Sequence, residues 1–463
     1  MTLRVAVIGS DVGARAFVAF LKQRVPTASI TCFATGDTQP DRGVTFSSPW
    51  IRNDKKGRLT VLRLGREILG IGDQEFCVSK VNIQLKLRDS EGKISRIPSF
   101  VSVLKNIFAL GLEPFRPRTK PSEDISVSEF MRLRFGHSFA KRYSDVISAP
   151  FAAEKVSVHA FFPKLAQNFF RFNSVMVGPL WAIADRLSGA SSFKNVDVMD
   201  HLWQELVSGG KYVSMLPRLD FSLFHQLLES HVASVSTACS LCDFQLERFD
   251  LVVSSQRPDE LVSQFDRSHK QDWAAALSEH EKALCTRLVS ASASPSADGE
   301  IIFSSPSTDE GICGIIVQSG LYEHAPAAGV VVDVFSTKPV DIESVRRLYP
   351  AADGLEVSSS YVEELPSCKL GWTKRMIDFN RWRLGLKKSL NIDLQVVGKW
   401  YYCPSGSLTD LVGDASELAD IIADRYQRFP KRVENEQSNH WMSRNDRSLD
   451  FSYSTDRFSA PKL

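Results

Sequence analysis

The chain opens with an alternation of apolar and amphipathic segments that is typical of an α/β protein. Residues 5–8 form a short apolar run, residues 14–23 show helical periodicity, and residues 29–33 form a second apolar run. A parallel strand that is buried on both faces reads as a continuous apolar run. This order therefore predicts a β-α-β unit near the N-terminus, over residues 1 to about 48.

The pattern changes twice further along the chain. Between Pro98 and about Arg186, aromatic and aliphatic residues recur at helical spacing, as in the segment 127–135, which predicts an inserted helical region. Strand-helix alternation then returns and continues to a last amphipathic helix over 415–426. The segment after Pro430 is polar and without periodicity, and its composition predicts that it does not fold alone.

These patterns predict an α/β fold (α+β with two domains) that is discontinuous in sequence. We divide the chain into the first part of this fold (1–98), an inserted helical domain (99–190), the remainder of the fold with a second sheet (191–430), and a polar interaction tail (431–463).

Composition narrows the class of protein only slightly. The 463 residues carry a net charge of +2 and are 43% hydrophobic, which is ordinary for a globular protein. The longest apolar stretch, residues 175–184, is interrupted by Gly178 and Pro179 and is too short for a membrane span. Eight dispersed cysteines favour free thiols in a reducing compartment over a disulfide framework. Cys239 and Cys242 form a lone C-x-x-C pair without a second such pair or a nearby histidine motif, so a structural role is preferred to a zinc or redox site. The nine histidines show no metal-ligand spacing.

The turn after the first predicted strand resembles a dinucleotide-binding fingerprint with altered residues. That fingerprint places glycine at two positions where backbone must approach the pyrophosphate or turn tightly, and glycine or alanine at a third. Here Gly9 takes the first position, Asp11 the second and Ala14 the third, with Gly13 before it. A carboxylate at Asp11 repels a phosphate at the helix N-terminus. The ribose-binding acid expected after the second strand is also missing, because Ala34 stands there.

A family resemblance appears in the predicted helical insertion. The segments 111–114, 125–136, 150–152 and 155–163, in that order, resemble protoporphyrinogen oxidase of the flavin-containing amine oxidase superfamily. Later segments agree in order, including 210–219, 249–254, 371–372 and the closing motif at 398–401. The resemblance implies a discontinuous Rossmann-like flavin-oxidase fold with an inserted helical substrate-type domain.

The resemblance also implies where flavin adenine dinucleotide (FAD) would bind. The positions that would hold it, each altered or part of an altered motif, are Gly9, Asp11, Gly13, Ala14, Ala34, Gly43, Gly398, Lys399 and Asp410. Lys399 replaces the asparagine of the closing motif, and the segment 377–379 departs from the family's proline, glutamine and tyrosine. Because several contacts to one ligand are lost together, we expect no bound cofactor and assign no catalytic residue.

Three hypotheses about function follow from these observations. The first is a catalytically inactive oxidase-like protein that serves as a structural or assembly subunit of a larger complex. In that role, other protein subunits would bind the tail through its aromatic side chains, Trp441, Phe451, Tyr453 and Phe458. The alternative is a divergent FAD-dependent protoporphyrinogen oxidase of haem biosynthesis. A third, weaker hypothesis is a binding module whose pocket takes another ligand. Resemblance to the eukaryotic members implies a mitochondrial setting.

The charged clusters do not distinguish between these candidate functions. Lys374-Arg375 and Lys387-Lys388, interleaved with Trp372 and Trp382, permit RNA contact, but a solvated helix face is the preferred interpretation. The acidic pairs Glu123-Asp124 and Glu363-Glu364 are expected in solvated polar turns.

Overall fold

The computed structural model describes about half of the chain. The described residues are 2–9, 11–33, 63–70, 77–78, 84–88, 94–97, 124–137, 140–141, 156–158, 213–214, 228, 230, 236–238, 249–265, 272–290, 300–304, 311–317, 330–350, 354–367, 369–401 and 408–428. They fall into two compact units. The first draws on residues 1–76, 214–279 and 374–428, and the second on residues 77–213 and 280–373.

The described strands and helices are interspersed along the chain. The strands are β1 (Arg4–Ile8), β2 (Ser29–Phe33), β3 (Cys77–Val78), β4 (Gln84–Arg88), β5 (Ile94–Ile97), β6 (Val213–Ser214), β7 (Ser236–Ala238), β8 (Leu251–Ser254), β9 (His280–Ser290), β10 (Glu300–Ser304), β11 (Ile312–Val317), β12 (Val330–Ser336), β13 (Glu356–Pro366) and β14 (Leu394–Val396). The helices are α1 (Val12–Arg24), α2 (Val127–Phe135), α3 (Pro258–Phe265), α4 (Asp272–Leu277), α5 (Ile342–Leu348), α6 (Trp372–Leu390) and α7 (Leu408–Arg428), with a π-helical turn at Leu64–Ile68.

A five-stranded sheet organises the first unit. Its order is β7-β2-β1-β8-β14, and all neighbouring strands are parallel. Val5 to Ile8 of β1 and all four residues of β8 are buried, which explains their unbroken apolar sequences. Helices α1 and α7 pack together. The predicted β-α-β unit is confirmed.

A seven-stranded, mainly antiparallel sheet organises the second unit. Its order is β13-β9-β12-β11-β10-β4-β5, and only the β10–β4 pair is parallel. One face packs against α5 through a cluster of aliphatic side chains that includes Val332, Val334 and Val345. The two-sheet arrangement confirms the predicted mixed α/β fold class.

Helix α2 is the part of the predicted helical insertion that the structure describes best. It follows the N-cap Ser126, whose hydroxyl accepts a hydrogen bond from the amide of Glu129 at 3.1 Å. Asp124, which the sequence places in a solvated turn, instead accepts hydrogen bonds from the Ser157 hydroxyl and from the amide of Gly371 at 2.6 Å. This carboxylate therefore joins three separate segments of the second unit.

Two further sequence expectations need correction. Glu363 and Glu364 lie in β13 and not in a polar turn. The segment from Trp372 to Leu390, where only charged clusters are expected from the sequence, is the long helix α6. Among the described helices, none combines the length and apolar character that crossing a membrane requires.

Candidate functional site

The candidate site lies at the carboxyl end of β1, where α1 begins. In open parallel sheets, ligands bind outside the carboxyl ends of the strands at the point where the strand order reverses. In this sheet β2 lies on one side of β1 and β8 on the other. The residues that follow β1, β8 and β14 therefore surround the candidate site.

Gly9 makes the turn that brings these segments together. Its φ angle is +102°, which side chains disfavour, and its amide donates a hydrogen bond to the carbonyl of Phe33 at 3.1 Å. A Cβ atom at this position would lie 2.3 Å from the Ser255 hydroxyl oxygen. Glycine is therefore favoured here by the backbone conformation, and a side chain would also displace the Ser255 hydroxyl.

Asp11 is the N-cap of α1. Its backbone is extended (φ −68°, ψ 169°), and its carboxylate accepts a hydrogen bond from the amide of Ala14 at 2.8 Å. The first amides of a helix have no partner inside the helix and carry partial positive charge. The Asp11 carboxylate thus bonds the helix terminus at which a dinucleotide-binding turn holds its phosphate.

The same carboxylate lies against the segment that follows β14. A Cβ atom at Gly398, whose φ angle is +98°, would be 2.2 Å from Asp11 Oδ2. A Cβ atom at Gly13 would be 3.2 Å from the Gly398 backbone. The first turn of α1 and Gly398 therefore approach each other closely, with the Asp11 carboxylate beside both glycines.

Polar groups after β8 line the neighbouring region. Ser255 and Gln256 are buried. The Gln256 carbonyl accepts a hydrogen bond from the Tyr401 hydroxyl at 2.8 Å, and its side-chain oxygen accepts one from Gln264 at 2.7 Å. Ser255, Gln256 and Gln264 are not predicted site residues, although a polar pair directly after a buried strand is a usable signal in the sequence.

The residues of the predicted closing motif are placed only in part. The Lys399 ammonium lies 5.7 Å from the ring centroid of Trp400, a cation–π distance. Tyr401 is fully buried. Asp410 lies in the first turn of α7, and its side chain is outside the described part of the structure.

An aromatic cluster occupies the segment where the sequence departs from the family pattern. Phe379 is fully buried, and its ring centroid lies 5.0 Å from that of Tyr401, 5.9 Å from that of Trp273 and 5.9 Å from that of Trp382. Trp372 is buried as well. These side chains therefore contribute to packing, and Trp372 and Trp382 do not form an exposed aromatic row.

Several predicted site residues cannot be placed. Those outside the described residues are Ala34, Gly43, Trp441, Phe451, Tyr453 and Phe458. Their roles stay predictions.

Among the described residues, neither the cysteine thiols nor the metal-ligating side chains indicate a second reactive site. Burial raises the pKa of the Cys32 thiol to about 11 and that of the Cys313 thiol to about 12, so both are protonated and unreactive at neutral pH. No group of three or more metal-ligating side chains occurs in the described ranges.

Comparison with known proteins gives similarity in structure alone. No protein-family model and no curated protein sequence matches the chain. A protein provisionally assigned as a protoporphyrinogen oxidase, from Exiguobacterium sp. 255-15, superposes with a TM-score of 0.61 at 14% identity, over 92% of this chain and 99% of that one. A putrescine oxidase variant with redesigned cofactor binding gives 0.56 at 11% identity, over 92% and 100%. Reduced UDP-galactopyranose mutase gives 0.56 at 11%, over 92% and 94%.

The chain has an amine-oxidase-like flavoprotein fold. The resemblance in the sequence predicted this fold, and the prediction is confirmed. At these identities the likeness extends to the fold and not to the site.

The described residues of this amine-oxidase-like fold do not fit the pyrophosphate of FAD. A pyrophosphate at the start of α1 needs free amides and a positive local field, whereas the Ala14 amide is bonded to the Asp11 carboxylate. The approach of Asp11 Oδ2 to Gly398 leaves the same carboxylate between α1 and the closing motif.

Proposed function

We propose that the protein is a catalytically inactive member of the amine-oxidase-like fold that acts as a structural or assembly subunit of a larger complex. One observation carries this proposal: the Asp11 carboxylate caps α1 and packs against Gly398, at the kind of helix N-terminus that holds the pyrophosphate in dinucleotide-binding turns. A fold does not fix a function, because function depends on the site. A protein with this fold and no flavin site still has two packed sheets and an outer surface, which are what a structural subunit needs.

The expected loss of affinity for FAD follows from the contacts that the altered residues no longer make. A charged or hydrogen-bonded contact contributes about 1–3 kcal/mol, and losing its partner costs as much. At Asp11 a favourable amide-to-phosphate bond is replaced by repulsion between like charges. Ala34 and Lys399 remove further contacts that the family resemblance implies. Together these changes remove most of the free energy that holds a tightly bound cofactor.

The proposed partners are other protein subunits that bind the tail. Residues 431–463 contain isolated aromatic side chains among polar residues, and aromatic anchors supply much contact area per ordered residue. A mitochondrial location and an RNA partner are secondary elements of this proposal, the first from the family resemblance and the second from the basic clusters.

The enzymatic part of the proposal is tested by assaying the purified protein with added FAD. We expect no oxygen consumption with protoporphyrinogen or with putrescine. The double variant Asp11→Gly, Ala34→Glu should also stay inactive, because Lys399 and the segment 377–379 are altered too and small errors in position are costly for transfer chemistry. Oxidation by the unmodified protein would contradict the proposal.

The alternative is a divergent FAD-dependent protoporphyrinogen oxidase. It is favoured by the backbone at Gly9 and Gly398, which keeps the positive φ angles of tight turns at both sides of the candidate site. Under this alternative, the Asp11 carboxylate would have to move or be neutralised when FAD binds. Stoichiometric FAD in the isolated protein would establish the alternative.

A further inference from the structure

Helix α6 carries a concentrated positive charge. Its nineteen residues include six basic side chains and a single acidic one, whereas the whole chain has a net charge of only +2. Two of the basic side chains have partners inside the chain. Arg383 is buried and donates a hydrogen bond to Gln395 at 3.0 Å, and Lys387 lies 3.5 Å from Asp393. The basic residues that remain are Lys374, Arg375, Arg381 and Lys388.

Three of these residues form a straight row on the exposed face of α6. Lys374, Arg381 and Lys388 follow one another at intervals of seven residues, which is two helical turns, so they lie on one side of the helix about 10 Å apart. Lys374 and Lys388 are exposed, and the Arg381 side chain is 76% exposed. The ion pair of Arg381 with Asp378, at 3.3 Å, lies at the surface and contributes little to stability. These three residues are the basic row.

Aliphatic side chains accompany the basic row. Ile377 and Leu384 stand three residues after Lys374 and Arg381, so they lie beside the row on the same side of the helix. Leu384 is 43% exposed and Ile377 is half-buried. An exposed leucine is ordinary on its own, but together with the basic row it repeats the spacing of positions a and d, through which two helices pack. The exposed face of α6 therefore has positions for apolar and for charged contacts with a second helix.

Gly385 lies in the middle of this face. It stands four residues after Arg381 and three residues before Lys388, and a Cβ atom there would meet nothing within 4 Å. Packing inside the chain therefore does not require glycine, although glycine destabilises a helix interior relative to alanine. A residue without a side chain allows another backbone to approach closely. A second helix that crosses α6 at Gly385 would explain this residue.

The side chains of this face select the partner. Trp372 is buried and Trp382 half-buried, so the basic row has no exposed aromatic ring on which a base of RNA could stack. One exposed leucine is too little apolar surface to insert the helix into a lipid bilayer. Pairing with a second α6 would bring two basic rows together, and like charges across an interface are unfavourable. A helix with carboxylates opposite the basic row and an aliphatic residue opposite Leu384 meets both requirements.

We infer that the exposed face of α6 binds an acidic amphipathic helix of a partner protein. In that helix, glutamate or aspartate recurs every seven residues and faces the basic row, and aliphatic side chains three positions further on cover Leu384. Its backbone approaches α6 most closely at Gly385. This inference rests on the proposed role in assembly and names the kind of subunit that is bound, but it uses no residue of the Asp11 site.

The test uses the full-length protein and a synthetic peptide of about 21 residues, which is long enough to form a helix in water. The peptide has glutamate at every seventh position, leucine three residues after each glutamate, and alanine and glutamine elsewhere. We expect it to bind in a fluorescence anisotropy titration. The matched peptide with lysine in place of glutamate should not bind.

Two glycine variants locate the binding face. Gly385→Glu should weaken binding of the glutamate peptide by about tenfold or more, because it adds bulk and a like charge at the point of closest approach. Gly413→Glu is the control, since Gly413 also lies inside a helix, α7, and a Cβ atom there would meet nothing within 4 Å. Both variants change the net charge of the protein equally.

Each outcome decides the inference. Equal binding of the two peptides, no binding of the glutamate peptide, or an equal loss in both glycine variants would overturn it. An RNA duplex or phosphatidylserine vesicles that bind more tightly than the glutamate peptide, and that Gly385→Glu releases, would make phosphate the occupant and also overturn it. Self-association that Gly385→Glu abolishes would do the same in favour of a second copy. FAD binding is measured separately, so the peptide can fail to bind while the Asp11 account stands, and the reverse.

Discussion

At the scale of single residues, one carboxylate determines how the candidate site is interpreted. Asp11 satisfies an N-terminal amide of α1 and lies beside Gly398, so it performs locally the task that a bound phosphate performs in dinucleotide-binding turns. The sequence predicts that the negative charge of Asp11 repels a phosphate at this helix end. The cap is not predicted, although aspartate is among the preferred N-cap residues, because the predicted helix begins at Ala14 whereas α1 begins at Val12.

Replacing Gly398 tests this contact. Gly398→Ala should lower the free energy of unfolding by about 2 kcal/mol or more, because a side chain at positive φ is strained and its Cβ would overlap Asp11 Oδ2. The loss should be smaller in an Asp11→Gly background, which removes the carboxylate but not the backbone strain. Urea denaturation of the four proteins measures this coupling.

A second glycine provides the matched control. Gly385 lies inside α6, and a Cβ atom there would meet no heavy atom within 4 Å. Gly385→Ala should therefore raise stability by about 0.5–1 kcal/mol through helix propensity. An equal cost of Gly398→Ala in both Asp11 backgrounds would show that the carboxylate does not lie against Gly398.

At the scale of elements, Asp393 joins the ends of α6, β14 and α7. Its carboxylate lies 3.5 Å from Lys387 Nζ and 3.2 Å from an Arg425 nitrogen, and it accepts a hydrogen bond from the Gln395 side chain at 2.8 Å. Burial alone would raise the pKa of Asp393, but the three cations Lys387, Arg425 and Arg383, together with the hydrogen bond, outweigh it, so this pKa lies below its ordinary value. The group therefore favours the folded state when it is ionised.

This shift predicts a dependence of stability on pH. The contribution of Asp393 is present above the unfolded-state pKa, near 3.8, and is lost as the pH falls through the lower folded-state pKa. Asp393→Asn should reduce stability at pH 7 and flatten its decline below about pH 4. Glu343→Gln removes a more exposed ion pair with Arg346 and should change stability by less than about 1 kcal/mol. Thermal unfolding from pH 7 to pH 3 separates the two variants; identical profiles would contradict the assignment.

How well a strand or helix can be predicted from the sequence depends on how it is buried in the fold. β1, β2 and β8 are confirmed because strands of a buried parallel sheet leave an unmistakable apolar run. β13 was missed because its sequence mixes serines and glutamates with single valines and has no such apolar run. α6 was missed because its exposed basic residues and its buried aromatic residues, Phe379 and Trp372, mix the signals of a solvated face and of a core.

For the whole molecule, the fold can be predicted from the sequence, but the function cannot be predicted from the fold. The amine-oxidase-like fold is evident from the order of segments, since packing needs only approximate residue types. A cofactor site needs particular residues at particular positions, and at Asp11 and Lys399 the chain has others. The family resemblance therefore predicts architecture well, and the residues at the site determine activity.

Removal of the tail tests the assembly role. Ordering a residue costs roughly 1–2 kcal/mol for its backbone alone, and residues 431–463 have few apolar side chains to offset it. Truncation after Pro430 should leave the melting temperature of the isolated protein unchanged and release the protein from its native complex, measured by gel filtration of cell extract. Unfolding after truncation, or unchanged association, would contradict the role assigned to the tail.

The most direct test is the equilibrium binding of FAD to the purified protein, measured by titration calorimetry together with the absorbance spectrum before FAD is added. We predict a colourless protein and no detectable heat of binding, because the Asp11 carboxylate takes the helix amide and repels phosphate. Flavin absorbance at one equivalent per chain in the purified protein, or saturable binding of added FAD, would contradict this account of the site.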